Sequence, residues 1–522
     1  MEMTWKKFVL VQAPSFVFSV YYLLLGKFFE AILTLSIALA IVGLLAYLRR
    51  KPLPTKVDYT LVTSIFHMYG LSLGETSPAD LVRTIAENKE YGFYSKVFQR
   101  IRSLAEDFGY GFTKATAQVA DTVKAPLKDI LVRCTSAFSS PKPRGYLEIE
   151  SSTLMEEYSG YYTRAIETLK TLGGVFTTFQ SVTVFLLMTL AIMSVFMIDP
   201  NAVVFGYFIA AIAVILMYVL FRATAPKENV VYIGEFPPDS YLGFKWSALA
   251  FVPSSGVLAF FLYISKGPAL AFIVFGIGVL IPGMFGYRLE KFVERVDKNY
   301  PTFLKALGES LASTSDLKSA FSYILYMELG PLDKLVREAF ARLKLGLSNT
   351  KALETLSSEA ASYQAHISNR ILLDSLKRGA DPLEIGNALG NRVIRLLEFR
   401  KRREIVAKSF QTIMIVMQPM TVTLLVVLRV LADFMSESLV GLPYFGFNAI
   451  PIAVVEVGNL LLVFIMAVLN SLTVKEVTAG FWGTFFLNLG VLLILSGATW
   501  MAGQIFVGTI LQTLPAVELP YM

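Results

Sequence analysis

Residues 382–410 read Pro-Leu-Glu-Ile-Gly-Asn-Ala-Leu-Gly-Asn-Arg-Val-Ile-Arg-Leu-Leu-Glu-Phe-Arg-Lys-Arg-Arg-Glu-Ile-Val-Ala-Lys-Ser-Phe, and a mostly apolar run follows. Asp381 can cap a helix here, Pro382 suits its first turn, and Glu384 completes an arrangement like a capping box. Four apolar side chains recur at steps of four, four and three residues, the period of one helix face: Ile385, Leu389, Val393 and Leu396. The stretch therefore predicts one helix that passes from a polar block into an apolar span.

The composition of the whole chain indicates a membrane protein. Its 522 residues are 55% hydrophobic and only 17% charged, with a mean hydropathy of +0.58, whereas soluble globular proteins carry about 25% charged residues. The one cysteine, Cys134, excludes an internal disulfide, and a lone cysteine is most often a small buried hydrophobe. The net charge of +7 is compatible with nucleic acid or anionic lipid, but the distribution of charge matters more than its sum.

Nine segments are long and apolar enough to cross a bilayer, which takes about 20 mostly apolar residues per helix. They are residues 8–26, 28–48, 172–197, 202–221, 246–265, 268–287, 410–434, 449–470 and 481–507. All basic residues except Lys27, Lys266 and Arg429 fall in alternate loops or at their edges. Because cytoplasmic loops are enriched in Lys and Arg, we expect a multi-pass protein of the cell membrane with a cytoplasmic N-terminus and an external C-terminus.

The order of spans and polar blocks predicts an internal repeat. Two spans, a block at about 49–171 and two spans are followed by two spans, a block at about 288–409 and two spans, and the ninth span is an addition. Gly111 and Gly145 in the first block match Gly346 and Gly379 in the second at a nearly constant offset. Four spans per unit give both copies the same orientation, so the repeat is parallel. Two unrelated polar insertions are the alternative.

The blocks have helical patterning and few strand-like alternations, so the predicted fold is all-α, with about nine transmembrane helices and two cytoplasmic helical-bundle domains. The predicted units are a first transmembrane pair (1–48), cytoplasmic domain 1 (49–171), a second pair (172–221), a cytoplasmic linker (222–245), a third pair (246–287), cytoplasmic domain 2 (288–409), the last three spans (410–507) and an external tail (508–522). Because both large polar blocks belong to the loops that are rich in Lys and Arg, we expect them on the cytoplasmic side.

The sequence lacks the motifs that carry chemistry. It has no G-x-x-x-x-G-K-[ST] loop to hold phosphates, and neither H-E-x-x-H nor G-x-S-x-G. Only two histidines, His67 and His366, and no cysteine pair could serve a His/Cys metal site. We therefore expect a protein that is not an enzyme, with no cofactor, no metal and no nucleic acid partner.

Two cytoplasmic helical blocks, each followed by a pair of spans, resemble the type II secretion F family, the inner-membrane platform proteins of type IV pilus-like machines. Gly346-Leu-Ser-Asn-Thr-Lys-Ala-Leu353 is similar to the family's glycine-serine turn before an Ala-Leu helix start. Lys377-Arg-Gly-Ala-Asp-Pro-Leu-Glu384 lies where many bacterial members have a Gly-Glu pair, but here Ala380 follows the glycine. Nine spans and two such blocks resemble the archaeal branch, which includes the platforms of the archaellum and of archaeal adhesion pili.

The resemblance implies a membrane platform for filament assembly that performs no chemistry itself. The partners that it implies are a cytoplasmic hexameric secretion ATPase and, at the other side of the membrane, pilin or archaellin subunits. A homodimer would suit a symmetric motor base. A secondary transporter is the alternative from another class, because parallel repeats also occur in transporters, and a membrane receptor or scaffold is a third.

Basic residues far from the predicted spans are the candidates for contact with the ATPase, because lipid cannot reach them. In the second block these residues are Lys334, Arg337, Arg342 and Lys344, and in the first block they are Lys114, Lys124 and Lys128. An ordinary solvated helix face would carry the same residues, and this plainer interpretation stays open.

A second basic group, Arg400-Lys401-Arg402-Arg403, lies one to two helical turns above the predicted membrane surface. As a positive-inside anchor it would contact the phosphates of membrane lipid. As a docking site it would contact an acidic part of the ATPase. The sequence leaves both interpretations open.

Two ionisable residues lie inside predicted spans, where charge is costly. Arg429 and Glu456 both fall about 8–10 Å below the external surface at 1.5 Å of helix rise per residue. We predict that they pair and position the two helices, and the alternative is that each side chain reaches the interface separately. Pro419, in the span that contains Arg429, predicts a kink or a loosened helix.

Overall fold

The computed structural model describes residues 56–140, 142–196, 201–439 and 452–513. In these residues the chain forms sixteen α-helices, a short 3-10 helix at Lys89–Tyr91 and no β-strand, which confirms the all-α prediction. The first eight are Tyr59–Ser72 (α1), Pro78–Glu87 (α2), Phe93–Glu106 (α3), Phe112–Ala120 (α4), Leu127–Ser139 (α5), Arg144–Phe196 (α6), Asn201–Thr224 (α7) and Asp239–Lys266 (α8). The other eight are Pro268–Thr314 (α9), Leu317–Ile324 (α10), Leu332–Lys344 (α11), Asn349–Ala360 (α12), Tyr363–Lys377 (α13), Pro382–Leu439 (α14), Ile452–Thr478 (α15) and Trp482–Thr513 (α16).

Seven helices in the described part of the chain are long and apolar enough to cross a membrane: α6, α7, α8, α9, α14, α15 and α16. They coincide with the last seven predicted spans, so the prediction of a polytopic membrane protein is confirmed. The first two predicted spans, at 8–26 and 28–48, lie outside the described residues. α14 continues through Pro419 as one helix.

The helical bundles of the two predicted domains (49–171, the first bundle, and 288–409, the second bundle) repeat the same succession of helices. α2 to α6 correspond in order to α10 to α14, and their starts keep a nearly constant spacing. Phe93 of α3 corresponds to Leu332 of α11, and Arg144 of α6 corresponds to Pro382 of α14. In each set the last helix continues from the bundle into an apolar span. This is the succession that a parallel repeat requires.

Helix starts follow the local sequence. Ser77 caps α2 and forms a capping box with Asp80, and Ser348 caps α12 by accepting a hydrogen bond from the backbone of Lys351. Asp381 accepts from the backbone N–H of Leu383 at 3.3 Å, at the predicted start of α14. These side chains satisfy N–H groups that have no partner inside the helix.

α14 lies between the two bundles and contributes to both of their hydrophobic cores. Its Ile385, Leu389 and Val393 pack in the core of the second bundle. One and two turns later, Leu396 and Phe399 pack in the core of the first bundle. α1 of the first bundle in turn contributes side chains to the second core. The bundles therefore pack against each other along α14.

α9 joins the second bundle to the membrane helices through glycine contacts. A Cβ atom on Gly308 would lie 2.6 Å from the carbonyl oxygen of Pro382 and 3.0 Å from Cα of Gly386, so the backbones of α9 and α14 touch. Toward the membrane, a Cβ on Gly286 would lie 2.3 Å from Cα of Gly483 in α16. One helix thus makes close backbone contact with α14 in the second bundle and with α16 among the apolar helices.

Candidate functional site

The junction between the second bundle and the membrane helices is centred on Arg400 of α14. Arg400 Nη1 donates to Asp297 Oδ2 of α9 at 2.7 Å, and Nε donates to Glu228 Oε2 at 3.2 Å. The Arg400 side chain is 16% exposed, and both carboxylates are nearly completely buried. Although burial favours the neutral form, the two carboxylates hold the pKa of Arg400 above its ordinary value, so the guanidinium stays charged. Three elements distant in sequence are joined by this buried group.

Glu228 belongs to the segment between α7 and α8, which we call the strap (residues 226–238). The strap lies against the α12–α13 turn, where Tyr232 N–H donates to Ala361 O at 2.8 Å and Tyr363 N–H donates to Val230 O at 3.1 Å. These two bonds form an isolated antiparallel bridge. The strap therefore links the two halves of the chain and also packs on the second bundle.

Ser362 completes the junction from the same turn. Its hydroxyl donates to Asp297 Oδ1 and also accepts from the backbone N–H of Ala365, so it caps α13. Both oxygens of Asp297 are thus used, one by Ser362 and one by Arg400. Burial nevertheless raises the pKa of Asp297 above its ordinary value, so Arg400 and Ser362 offset only part of its lost hydration.

Arg403, one turn after Arg400, binds backbone carbonyls instead of carboxylates. Its guanidinium donates to Val477 O at 2.7 Å, to Glu476 O at 2.5 Å and to Pro226 O at 2.7 Å. The first two carbonyls are at the C-terminal end of α15, where a cation complements the helix dipole and satisfies groups without helical partners. Arg403 therefore fastens α14 to α15 and to the start of the strap.

The four residues predicted as a membrane anchor or docking site, Arg400, Lys401, Arg402 and Arg403, differ in exposure. Only Lys401 and Arg402 are exposed, whereas Arg403 is buried and Arg400 is mostly buried. The reason is helical geometry, because residues three apart share a face and the two residues between them point elsewhere. The sequence could have indicated this burial, because the apolar residues Leu396, Phe399 and Ala407 lie on the same side of the helix as Arg400 and Arg403.

The predicted partner-contact residues of the second bundle divide into two kinds. Lys334, Arg337 and Lys344 of α11 are exposed. Arg342 is not available in the same way, because its guanidinium forms a two-point bond with Glu359 of α12, one arm of which is 2.8 Å long. Contact of Arg342 with a partner stays a prediction, and its charge already joins α11 to α12.

The predicted contact residues of the first bundle are all exposed, but they differ in their neighbours. Lys114 Nζ lies 5.8 Å from the centre of the Tyr110 ring, within reach of a cation–π contact. Lys128 pairs with Asp121 at 3.2 Å. Lys124 lies in the α4–α5 connection, facing solvent. An exposed ion pair of this kind contributes little to stability.

The chain's two histidines both lie where the first bundle meets the second. His67 of α1 is buried, with Nδ1 2.8 Å from the Tyr91 hydroxyl and Nε2 3.5 Å from Asp374 of α13. His366 of α13 in turn contacts Glu90 of the first bundle. Burial lowers the pKa of His67 below its ordinary value, despite the nearby carboxylate. Each histidine thus faces a carboxylate of the other bundle, a pairing that the sequence analysis missed because it has no local signal.

Inside the predicted membrane region, Arg429 Nη1 lies 3.5 Å from Glu456 Oε1. The two side chains come from α14 and α15 and face each other at ion-pair distance. This geometry is the one that the proposed pairing requires, and it places a charged contact between two helices that pack closely along their length.

The chain is similar to two proteins called flagella accessory protein J. One, from Methanocaldococcus jannaschii, is 23% identical over 419 residues, which cover 75% of this chain and 74% of the relative. The other, from Methanococcus voltae, is 24% identical over 425 residues, which cover 76% of this chain and 75% of the relative. These relatives confirm the predicted resemblance to the archaeal branch of the platform proteins. No family model matches the chain, and no solved structure matches it.

Proposed function

We propose that this chain is the membrane platform of an archaellum assembly machine, where it couples a cytoplasmic hexameric ATPase to the filament subunits. The names of the relatives favour an archaellum over an adhesion pilus. The platform itself performs no catalysis. It is a multi-pass protein of the cell membrane, and we propose a cytoplasmic N-terminus, an external C-terminus and a homodimeric state.

The observation that carries this proposal is the continuity of α6 and α14. Each leaves a cytoplasmic bundle and enters an apolar span without ending. A helix that is continuous across this boundary can transmit a displacement from the bundle to the membrane. Arg400 and Arg403 support the same role, because they hold α14 to α9, α15 and the strap where it enters the membrane region.

We propose that the ATPase contacts the exposed cations Lys334, Arg337 and Lys344 of the second bundle and Lys114, Lys124 and Lys128 of the first. Opposite charge on the ATPase would steer its approach. Lys401 and Arg402 lie nearer to the membrane, and we assign them to contact with lipid phosphates.

The test is binding of the purified hexameric ATPase to the full chain in lipid nanodiscs. We expect the triple variant Lys334→Glu, Arg337→Glu and Lys344→Glu to weaken binding at least tenfold at low salt. The matched control reverses three other exposed cations of the same bundle, Arg295→Glu, Lys298→Glu and Lys318→Glu. Binding that is insensitive to the first triple variant would contradict the proposed contact. Absence of binding together with solute uptake by proteoliposomes would favour the transporter instead.

A further inference from the structure

Two loops at equivalent positions of the repeat expose apolar side chains to solvent. The first, residues 107–111, joins α3 to α4, and its Phe108 and Tyr110 are 68% and 44% exposed. The second, residues 345–348, joins α11 to α12, and its Leu345 and Leu347 are 84% and 40% exposed. We call them loop 1 and loop 2. Because a pair of large apolar side chains is exposed at the same place in each copy of the repeat, the two loops are candidates for a contact surface.

Both loops have a defined backbone conformation. In loop 2, Leu347 N–H donates to Arg342 O at 3.1 Å and Gly346 N–H donates to Leu343 O at 3.2 Å. Gly346 has φ +87°, as a helix end of this type requires. In loop 1, the N–H groups of Phe108 and Tyr110 donate in the same manner to carbonyls in the last turns of α3. The apolar side chains are therefore presented by ordered turns.

The distance of loop 2 from the membrane follows from the helices that carry it. α12 ends at the turn that contacts the strap, beside Arg400. From that turn α13 runs outward to the start of α14, which lies about 40 Å from the predicted membrane boundary at 410 by helix rise. α12 is antiparallel to α13, so loop 2, at its beginning, also lies far from the membrane.

Loop 1 lies at the same end of the cytoplasmic part. Glu106, the last residue of α3, pairs with Arg83 of α2 at 3.1 Å. α2 begins beside the second bundle, where Asp80 pairs with Arg378 at 2.8 Å. Arg378 is four residues before the start of α14. Lipid cannot reach either loop, which favours a soluble protein as the partner.

The charge near the loops narrows the chemistry of that partner. Lys114 lies over the Tyr110 ring at loop 1, and Lys344 lies over Phe340 at loop 2, 4.6 Å from the ring centre. Of the acidic side chains beside loop 1, Glu106 pairs with Arg83 and Asp107 is exposed. Each loop therefore combines an apolar tip with an available lysine, which fits an apolar pocket with an acidic rim.

We infer that loops 1 and 2 form a bivalent docking surface for a partner that carries the same pocket on at least two identical subunits. Two equivalent loops on one chain can contact two identical subunits of a ring-shaped partner. The inference rests on the proposed function and deepens it, because it identifies the hexameric ATPase as the partner and the two loops as its points of contact. Two simultaneous contacts raise the apparent affinity far above that of either one.

The test compares loop variants of the full chain in nanodiscs for binding of the purified ATPase hexamer. Phe108→Ser with Tyr110→Ser removes loop 1, and Leu345→Ser with Leu347→Ser removes loop 2. We expect each double variant to weaken apparent affinity about a hundredfold, because bivalent binding becomes monovalent. The four substitutions together should abolish binding. The control is Tyr326→Ser, which removes a side chain that is 91% exposed outside both loops and should leave affinity unchanged.

The outcomes separate this inference from the proposed function. If the unsubstituted protein does not bind the hexamer, both are overturned. If it binds but the loop variants bind equally well, the docking surface is overturned and the proposed function stands. If one loop accounts for the whole affinity and the other has no effect, bivalent docking is overturned. All substituted side chains are exposed, and unchanged thermal unfolding of each variant establishes that a loss of binding is not a loss of fold.

Discussion

The two helical bundles use basic residues in opposite ways near the membrane and far from it. Near the membrane, Arg400 and Arg403 are turned inward and bonded to carboxylates and backbone carbonyls of other elements. Far from the membrane, Lys344 of α11 and Lys114 of α4 lie beside exposed apolar loops and near aromatic rings. The same residue types thus hold the molecule together at one end and are left available at the other.

The difference shows why a count of basic residues does not locate a docking site. The four-residue basic run beside the membrane has the highest local charge, yet half of it is consumed by internal contacts. The scattered lysines of the distal end have lower local charge but remain available. Availability depends on which face of a helix is packed, and that face is set by elements distant in sequence.

The largest effect is expected when the charge of Arg400, near the membrane, is removed. Arg400→Met should destabilise the protein by about 3–5 kcal/mol, because Asp297 and Glu228 would remain buried without their cation. Thermal unfolding in detergent measures this effect. The neighbouring exposed substitution Lys401→Met should change stability by less than about 0.5 kcal/mol. Equal effects from the two variants would mean that the inward face has no special role.

A second test concerns the interior of the distal end. Gly386→Val should cost about 1–3 kcal/mol, because a Cβ there would lie 2.8 Å from the carbonyl oxygen of Leu304 and force α9 and α14 apart. Gly145→Ala is the matched control in α6, where an added Cβ meets nothing within 4 Å. That control should be neutral or slightly stabilising, since alanine is the better helix former. Similar unfolding temperatures for both variants would show that this crossing tolerates separation.

A third and smaller effect is expected where a cation joins two helices at the surface of the second bundle. Arg342→Met should cost about 1 kcal/mol, because it removes the two-point bond to Glu359 at a partly exposed position. Arg337→Met on the same helix should cost nothing measurable. Hydrogen exchange of α12 is the suitable measurement, and faster exchange in the first variant only is the expected result.

The last test changes the protein least, because it measures the chemical labelling of the chain's own cysteine. Cys134 is buried in the first bundle, and burial raises its pKa to about 12, so little thiolate forms at pH 8. We expect maleimide to label the native protein slowly and the unfolded protein quickly. Lys344→Cys in a Cys134→Ser background should label quickly in the native state, because residue 344 is exposed. Rapid labelling of native Cys134 would contradict the packing of α5.

Much of the architecture is predictable because it rests on local patterns. The seven described spans, the helical blocks and the start of α14 at Pro382 follow from hydropathy, helical period and capping residues. The order of the helices in the repeat follows from the recurring glycines. These features depend on neighbours within a few residues along the chain.

The internal contacts of the junction were not predictable in the same way. Arg400 meets Glu228, 172 residues earlier, and Asp297, 103 residues earlier. No local pattern specifies which distant carboxylate will face a given arginine. The helical period places Arg400 and Arg403 on one face and Lys401 and Arg402 on another. It does not say which face is buried until the packing of α14 is known. The exposed loops were missed for a related reason, because burial of an apolar side chain is decided by tertiary packing.

The position of Arg400 and Arg403 along α14 has a mechanical consequence. If the contacts of Arg400 and Arg403 act as a pivot, the arm from Pro382 to Arg400 is about 27 Å long by helix rise. The arm from Arg403 to the predicted external end at 434 is about 45 Å long. If α14 stays straight through Pro419, it acts as a lever that enlarges displacement rather than force. A sideways movement of 3 Å at the distal end would then emerge as about 5 Å at the outer face of the membrane.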